Sequence, residues 1–171
     1  MRRLVLVGLT ALPIGGATLA QGLDANALPA PQGPVVLAVQ GAISRFNAEG
    51  AAMFDMEMLK ALPPARLDTT TAVTDGLRRF DGFLMRDLLE LVGAQGDTLT
   101  ARALNDYAID IRIEEFNRFD VLVAYAMDGI ALQPSDKGPL WIVYPRDQHA
   151  ALQDIRYDYR WVWQLRWLDI R

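Results

Sequence analysis

The stretch Ser135-Asp136-Lys137-Gly138-Pro139-Leu140-Trp141-Ile142-Val143-Tyr144-Pro145 decides the fold class. It begins as a polar turn, passes through a Gly-Pro pair, and becomes a run of aliphatic, β-branched and aromatic residues that ends at a proline. A short apolar run with a chain-breaking residue at each end is typical of a buried strand. We therefore predict a buried strand over residues 137–145, with other short strands beside it.

The rest of the chain supplies such strands and a few short helices. Alternating or β-branched stretches predict extended segments at residues 35–39, 42–46, 68–74, 98–103, 107–113, 121–127 and 157–167. Helices are predicted at 56–61 with Asp55 as N-cap, at 84–92 with Gly93 as C-terminal stop, and at 114–119. Asp128-Gly129 predicts a hairpin turn into a short strand at 130–132. Many short strands with few helices indicate an α+β fold with a largely antiparallel mixed sheet.

The first twenty residues have the pattern of an export signal. Arg2-Arg3 precede an apolar run at residues 4–14, and Thr18-Leu19-Ala20 places small residues before Gln21. We expect residues 1–20 to be a cleaved signal peptide, 21–34 a flexible proline-containing lead-in, and 35–171 a single domain. The alternative is an uncleaved anchor, although the run is short of the ~20 apolar residues that a spanning helix needs.

The composition excludes several classes of site. The chain has no cysteine and one histidine, His149, so disulfides, thiolate metal sites, cysteine nucleophiles and multi-histidine metal sites are excluded. Its net charge of −4 becomes −6 without Arg2 and Arg3. No basic patch remains that could hold a phosphate backbone, so we expect no nucleic-acid partner.

Two stretches have the residue types of a binding site. Asn105-Asp106-Tyr107 offers an amide, a carboxylate acceptor and an aromatic face, which suits a flat, nitrogen-rich heterocycle; the alternative is an Asx turn that enters a strand. The aromatic residues at 157–167 are either sheet packing or a stacking wall with Arg160 or Gln164 near its rim. Alternation does not decide whether Trp161 or Trp163 faces the cleft. Lys137 is either an anion ligand or a solvated turn residue.

In combination, these stretches resemble a known family. The segments Phe80–Leu89, Ala103–Tyr107, Asp128–Leu132 and Lys137–Pro145 occur in the order found in the sulfite-oxidase-like molybdopterin-binding domain. The resemblance extends over about residues 35–170. It implies the sulfite oxidase fold, with a ligand held in a cleft between strands and loops.

The chain departs from that family at the metal ligand. Enzymes of the family bind molybdenum through a cysteine ahead of the Phe-x-Gly motif, and residues 69–75 of this chain have threonine or alanine there. The resemblance thus implies a pterin-sized cleft without a protein thiolate, with Thr71 and Asp75 on the emptied metal side. The cations that could hold a pyranopterin phosphate are few, and those in matching neighbourhoods are Arg86, Lys137 and Arg160.

An exported, cysteine-free chain of this kind looks like the periplasmic pterin-binding proteins that partner membrane-bound cyclic-di-GMP enzymes. That resemblance implies a reduced, molybdenum-free pterin as ligand and the periplasmic domain of a diguanylate cyclase/phosphodiesterase as partner. The expected ligand-binding residues are Asn105, Asp106, Tyr107, Thr71, Asp75, Arg160, Trp163 and Lys137. The alternatives are a molybdopterin-dependent oxidoreductase whose metal has no protein thiolate, and an accessory protein with an empty cleft.

Overall fold

The computed structural model describes residues 27–171. The predicted signal peptide and the first residues of the lead-in lie outside this range. The strands are β1 (Leu37–Gly41), β2 (Ala51–Phe54), β3 (Pro64–Thr69), β4 (Arg78–Leu84), β5 (Thr98–Ala103), β6 (Ala108–Arg112), β7 (Leu122–Met127), β8 (Ile130–Ala131), β9 (Trp141–Val143) and β10 (Leu165–Ile170). The α-helices are α1 (Met56–Lys60), α2 (Met85–Leu91), α3 (Glu114–Arg118) and α4 (Ile155–Asp158), and two 3₁₀ turns cover Arg146–Gln148 and Ala150–Gln153.

The strands form two sheets. The first has the order β2-β1-β10-β5-β6, and all its neighbours are antiparallel except β1 and β10, which are parallel. The second has the order β3-β4-β7-β8, and β9 also pairs with β7. The α+β class and the predominantly antiparallel pairing predicted from the sequence are therefore confirmed.

The two sheets contribute side chains to one hydrophobic core. Phe54 and Leu168 come from the first sheet, while Phe80, Phe83 and Trp141 come from the second, and all five are inaccessible to solvent. The rings of Phe80 and Trp141 meet edge to face, with their centroids 5.3 Å apart. Such burial of large apolar side chains supplies most of the stabilisation in a chain without disulfides.

The stretch at 135–145 contains a strand that is shorter than predicted. Only Trp141–Val143 pairs with β7, and Leu122, Val123 and Ala124 are its partners in register. The polar residues before it form turns, and the Gly138–Pro139 peptide bond is cis. A Cβ at Gly138 would lie 2.3 Å from the backbone of Leu132, so only glycine allows this close approach.

Several of the other predicted elements are confirmed with small shifts in their ends. Asp55 is the N-cap of α1 and accepts a hydrogen bond from the Met58 N–H (2.9 Å). The predicted second helix is α2, and Gly93 follows it with a positive φ of 61°. The hairpin turn at Asp128-Gly129 joins β7 to β8. Local capping and turn residues were thus sufficient to position these elements.

Two predicted extended segments are wrong. Residues 42–46 do not form a strand, because the chain turns at Gly41 (φ 89°) and the Ser44 and Arg45 N–H groups donate to the Val92 carbonyl at the end of α2. The extended segment predicted at 68–74 ends at Thr69, and the chain then bends through residues 72–76.

The aromatic segment at 157–167 was predicted as one strand, and this prediction is wrong over most of its length. It begins in α4, continues through a turn at Tyr159 and an irregular stretch, and becomes strand only at Leu165. Trp161 and Val162 are adjacent and both buried, which an alternating strand with one solvent-exposed face does not allow. Gln164 has a φ of 51° and interrupts any extended run before β10.

The lead-in predicted as flexible is held against the domain from residue 27 onward. Leu28 is buried, and its N–H donates to the Phe46 carbonyl (3.1 Å). The Gln32 and Gly33 N–H groups donate to one carboxylate oxygen of Asp55 (2.7 and 2.8 Å). Among the helices formed by residues 27–171, none is long and apolar enough to cross a membrane.

Candidate functional site

Three segments enclose a cleft of about 290 Å³. They are the loop that follows β3 (residues 70–75), the turn between β5 and β6 (residues 104–107), and the irregular stretch between α4 and β10 (residues 158–163). Most of its lining residues are apolar or aromatic, namely Ala72, Val73, Ala103, Tyr107, Tyr159, Trp161, Val162 and Trp163. Asn105 and Asp158 are the polar residues of the lining. The volume is near the lower limit of ~300 Å³ for small-molecule sites, so a small flat molecule would fill this cleft.

The loop after β3 is held by the carboxylate of Asp147, which lies in the 3₁₀ turn that follows β9. Asp147 accepts hydrogen bonds from the Thr70 N–H (2.6 Å) and the Thr70 hydroxyl (2.7 Å). The Thr70 hydroxyl bond is the main reason why the pKa of Asp147 lies below its usual value. Within the loop, the hydroxyl of Thr71 lies 2.8 Å from that of Thr74. These bonds present Ala72 and Val73 to the cleft.

The turn between β5 and β6 presents Asn105 and Tyr107. The Asn105 side-chain oxygen accepts from the Tyr107 N–H (3.1 Å), so the Asx turn that the sequence left as an alternative is present. The Tyr107 hydroxyl donates to the Tyr159 carbonyl (2.6 Å) and so joins this turn to the opposite wall. Desolvation raises the pKa of Tyr107 above its usual value, which keeps this donor protonated at neutral pH.

The third wall is aromatic and carries one carboxylate. The sequence did not decide whether Trp161 or Trp163 faces the cleft. In the structure, both residues line it. Trp161 is almost fully buried, and its ring packs against Trp141, with the centroids 6.2 Å apart. Asp158 ends α4 and also lines the cleft, and its Oδ1 atom is buried without a hydrogen-bond partner among residues 27–171.

The predicted ligand-binding residues are distributed over several places. Asn105, Tyr107 and Trp163 line the cleft, and Thr71 lies buried beside it with its hydroxyl bonded inside the loop. Asp106 has a positive φ of 65° and lines a separate cavity with Gln40, Thr100, Arg102, Trp167 and Asp169. Asp75 is exposed on the loop and is not part of the cleft lining.

The two predicted cations, Lys137 and Arg160, are not among the residues that line the cleft. The Lys137 ammonium lies 2.8 Å from Asp136 and 5.9 Å from the ring centroid of Trp141. Arg160 forms an ion pair with Glu115 of α3 and stacks on the ring of Tyr157 at 4.5 Å. Arg160 therefore fastens the 158–163 stretch to the domain.

Sequence reasoning missed Asp158 and Tyr159 as cleft residues. Both residues were treated only as part of the segment at 157–167, which was predicted as one strand. A signal was available in the Asp154-Ile155-Arg156 sequence, because an aspartate in this position is a common helix N-cap. A helix there changes which side chains share a face.

The donor groups do not fit the metal or the phosphate of a molybdenum cofactor. The sequence has no cysteine, and no group of His, Asp or Glu residues within 27–171 is arranged to hold a metal ion. The three cations in matching neighbourhoods, Arg86, Lys137 and Arg160, are each paired with a carboxylate. The flat aromatic walls and the amide and carboxylate of the cleft instead fit the ring system of a pterin.

A comparison with protein families gives one match. The model described as "Oxidoreductase molybdopterin binding domain" matches residues 51–152, which is more than half of the chain. None of the curated proteins matches the chain. The matched range includes the loop after β3 and the turn at 104–107, whereas the wall at 158–163 follows it.

Proposed function

Because the chain belongs to the molybdopterin-binding oxidoreductase domain family, we propose that it is a pterin-binding protein that has lost the family's metal chemistry. The family and the sulfite oxidase fold expected from the sequence are confirmed by this match. The observation that carries the proposal is the cleft of about 290 Å³ with aromatic walls. The loop at residues 69–75, where the resemblance places the molybdenum-binding cysteine of the family's enzymes, has no cysteine.

The cleft offers the contacts that a pterin requires. Tyr107, Trp161 and Trp163 provide apolar faces against which a flat ring can pack, and Asn105 and Asp158 are polar residues in the lining. No lysine or arginine is present among the cleft-lining residues of the described chain. This supports a ligand without a phosphate, since a phosphate beside the Asp158 carboxylate would be repelled.

We also propose that the protein acts in the periplasm as a signalling module. The basic pair, apolar run and small residues at 1–20 support export. The cysteine-free, exported form resembles pterin-binding proteins that partner a membrane-bound diguanylate cyclase/phosphodiesterase. Because a ligand in the cleft would bridge three separate segments, it would favour one arrangement of their outer surface, and a partner could read that arrangement.

The first experiment is to identify the bound molecule. The protein is isolated from a periplasmic extract of its own source, the small molecules are released under anaerobic conditions, and they are analysed by fluorescence and mass spectrometry beside a molybdenum assay. We expect a reduced pterin in near-stoichiometric amount and no molybdenum. A dithiolene-bearing pterin with molybdenum would contradict the proposal and favour the oxidoreductase, and an empty cleft would favour the accessory protein.

A second experiment tests the signalling role. The purified periplasmic domain of a membrane-bound diguanylate cyclase/phosphodiesterase from the same source is titrated with the pterin-loaded and the pterin-free protein. We expect the loaded form to bind at least tenfold more tightly, which corresponds to a coupling free energy of about 1.4 kcal/mol. Equal affinities for the two forms would contradict a ligand-dependent signal.

A further inference from the structure

The strand β6 forms an exposed edge of the first sheet. It is the last strand in the order β2-β1-β10-β5-β6, so it pairs with β5 on one side only. Ala108, Asp110 and Arg112 of this strand are exposed, and the side chains of Asp110 and Arg112 are 60% and 67% accessible to solvent. A free edge presents a row of backbone donors and acceptors with which a strand of another chain can pair.

The hydrogen bonds of the neighbouring strand show which groups of β6 point outward. Thr98 of β5 exchanges both of its backbone hydrogen bonds with Arg171, which follows β10 (2.8 and 3.0 Å). Backbone groups alternate in direction along a strand, so the next residue of β5 bonds to its register partner in β6, Ile111. The N–H and carbonyl groups of Asp110 and Arg112 therefore point away from β5, and none of these four groups has a partner within residues 27–171.

The other sheet edges in the described part of the chain are less open. On β2, the side chain of Asn47 bonds to both the N–H and the carbonyl of Met53 (2.7 and 2.9 Å). β3 begins at Pro64, which has no N–H, and the Thr70 N–H directly after β3 donates to Asp147 (2.6 Å). β8 has only two residues. β6 is therefore the edge best suited to pairing with another strand.

The side chains of β6 are complementary to a second copy of the same strand. In an antiparallel pair centred on Ile111, the outward backbone groups of Asp110 face those of Arg112 in the second copy, and the reverse. Both side chains lie on the solvent side of the sheet, where the Asp110 carboxylate accepts from the Thr100 hydroxyl (2.6 Å). Opposite charges thus meet twice across the pair, which is a favourable cross-strand arrangement. A pair centred on Asp110 would instead place two carboxylates opposite each other.

We propose that the protein forms a homodimer through antiparallel pairing of β6 with β6, centred on Ile111. The contact joins the two five-stranded sheets into one continuous sheet, and it closes after two copies because the same surface is used on both. The turn at 104–107, which forms part of the cleft, precedes β6, so the two copies of this turn lie at opposite ends of the paired strands. This inference does not rest on the proposed pterin binding.

Sedimentation equilibrium of the mature protein tests the dimer. Concentrations from about 5 to about 500 μM bracket the affinity of a small interface, and we expect a reversible monomer–dimer equilibrium in this range. Hydrogen exchange at the two ends of the range locates the contact, because the Asp110 and Arg112 amides should exchange at least about tenfold more slowly at the higher concentration. A protein that stays monomeric, or a dimer that protects other amides instead, would overturn the proposal.

Charge reversal tests the register of the pair. Asp110→Arg places arginines opposite each other and Arg112→Asp places aspartates opposite each other, so each variant alone should dimerise at least about tenfold more weakly than the wild type. An equimolar mixture of the two variants restores both pairs of opposite charges. We expect this mixture to form a heterodimer about as tightly as the wild type forms its homodimer.

Arg66→Asp is the matched control. It makes the same change in net charge as Arg112→Asp, at an exposed arginine of the edge strand β3, and it should dimerise as the wild type does. Equal weakening by Arg66→Asp and Arg112→Asp, or a mixture of the two β6 variants that stays monomeric, would contradict the proposed pairing. Circular dichroism melting curves verify that the variants are folded. Should one of them not fold, the concentration-dependent exchange of the wild type still decides.

Discussion

Arg160 holds one wall of the cleft in place through an ion pair. Its guanidinium forms an ion pair with Glu115, and the Tyr144 hydroxyl makes a long hydrogen bond (3.4 Å) to the same carboxylate. Burial, followed by the nearby Glu115 charge, raises the pKa of Tyr144 well above its usual value, so this hydroxyl stays protonated. The cluster ties the stretch that carries Asp158 to α3, and Arg160 thereby positions one wall of the cleft.

Removal of the guanidinium should be costly because it leaves a buried carboxylate unpaired. Loss of one partner of a fully buried pair costs ~3–5 kcal/mol, and we expect about 2–3 kcal/mol for Arg160→Met, since the Arg160 and Glu115 side chains are 23% and 12% exposed. Urea unfolding at neutral pH measures this loss. The double variant Arg160→Met with Glu115→Gln should recover part of it.

The matched control for this prediction is an exposed arginine. Arg66 pairs with Asp81 at 2.9 Å, but its side chain is 63% exposed. Exposed pairs contribute about 0–1 kcal/mol, so Arg66→Met should change the free energy of unfolding by no more than that. Equal losses in the Arg160 and Arg66 variants would show that the buried ion pair does not hold the wall.

At the scale of single residues, the sequence predicted which residue types form the binding site better than it predicted which way each side chain faces. Asn105 and Tyr107 were expected at the ligand and both line the cleft, but Asp106 between them lies in another cavity because its positive φ turns the chain there. The residue types of a segment show which interactions it can make. Which of its side chains faces a cleft depends on backbone dihedral angles, and the sequence pattern does not specify these angles.

At the scale of elements, α4 decides how the cleft is built. Asp154 is its N-cap and accepts from the Arg156 N–H (2.9 Å), and its carboxylate also pairs with the Arg156 guanidinium (2.8 Å). The helix is a single turn, and it ends at Asp158. A helix this short has little intrinsic stability, so its cap has a large share in determining whether the turn forms.

The contribution of Asp154 should depend on pH in a defined direction. Its interactions with Arg156 lower its pKa from 3.8 to about 2, so the folded state prefers the ionised carboxylate. The stabilisation is therefore complete above pH 3.8 and is lost as the pH falls toward about 2. We expect Asp154→Ala to be less stable than the wild type at neutral pH, and this difference to shrink in acid.

Urea unfolding at several pH values between neutrality and pH 2 tests this behaviour. Glu57→Ala is a suitable control, because Glu57 lies in the first turn of α1, where Asp55 is the cap, and its carboxylate faces solvent with only Lys60 beside it. A difference between the wild type and Asp154→Ala that stays constant down to pH 2 would contradict the role assigned to the ionised cap.

The boundaries of helices and strands were predictable where a capping residue or a turn residue determines them without long-range contacts. Asp55 before α1, Gly93 after α2 and Asp128-Gly129 before β8 each act within a few residues, and the structure has the elements that they predict. The segment at 157–167 failed because its alternating aromatic residues mimic a strand. Its true conformation depends on the burial of both Trp161 and Val162, which is decided by packing between distant segments.

At the scale of the whole molecule, the first sheet depends on strands that are far apart in sequence. β10 lies between β1 and β5, with parallel pairing to β1 and antiparallel pairing to β5. Leu165, Leu168 and Ile170 of this strand are buried in the core. The family match ends at residue 152, so this central strand lies beyond the part of the chain that the family model covers.

Removal of residues 165–171 should therefore abolish the cooperative fold. Without β10, the edges of β1 and β5 lose their pairing partner and the core loses three large side chains. We expect no sigmoidal thermal transition by circular dichroism, and increased binding of an apolar dye. Trp167→Ala is the control, because Trp167 is 38% exposed on the same strand, and it should melt cooperatively. A cooperative transition in the truncated protein would contradict the central role of β10.

The parallel pairing of β1 with β10 also sets the order of assembly. β1 cannot acquire its central neighbour until nearly all of the following chain has been made, and a sheet with such long-range pairing forms slowly. The second sheet, whose strands are close in sequence, can form earlier. For the export that we propose, this delay would be useful, since a chain that remains open can be threaded through a translocation pore and closes only after its last strand emerges.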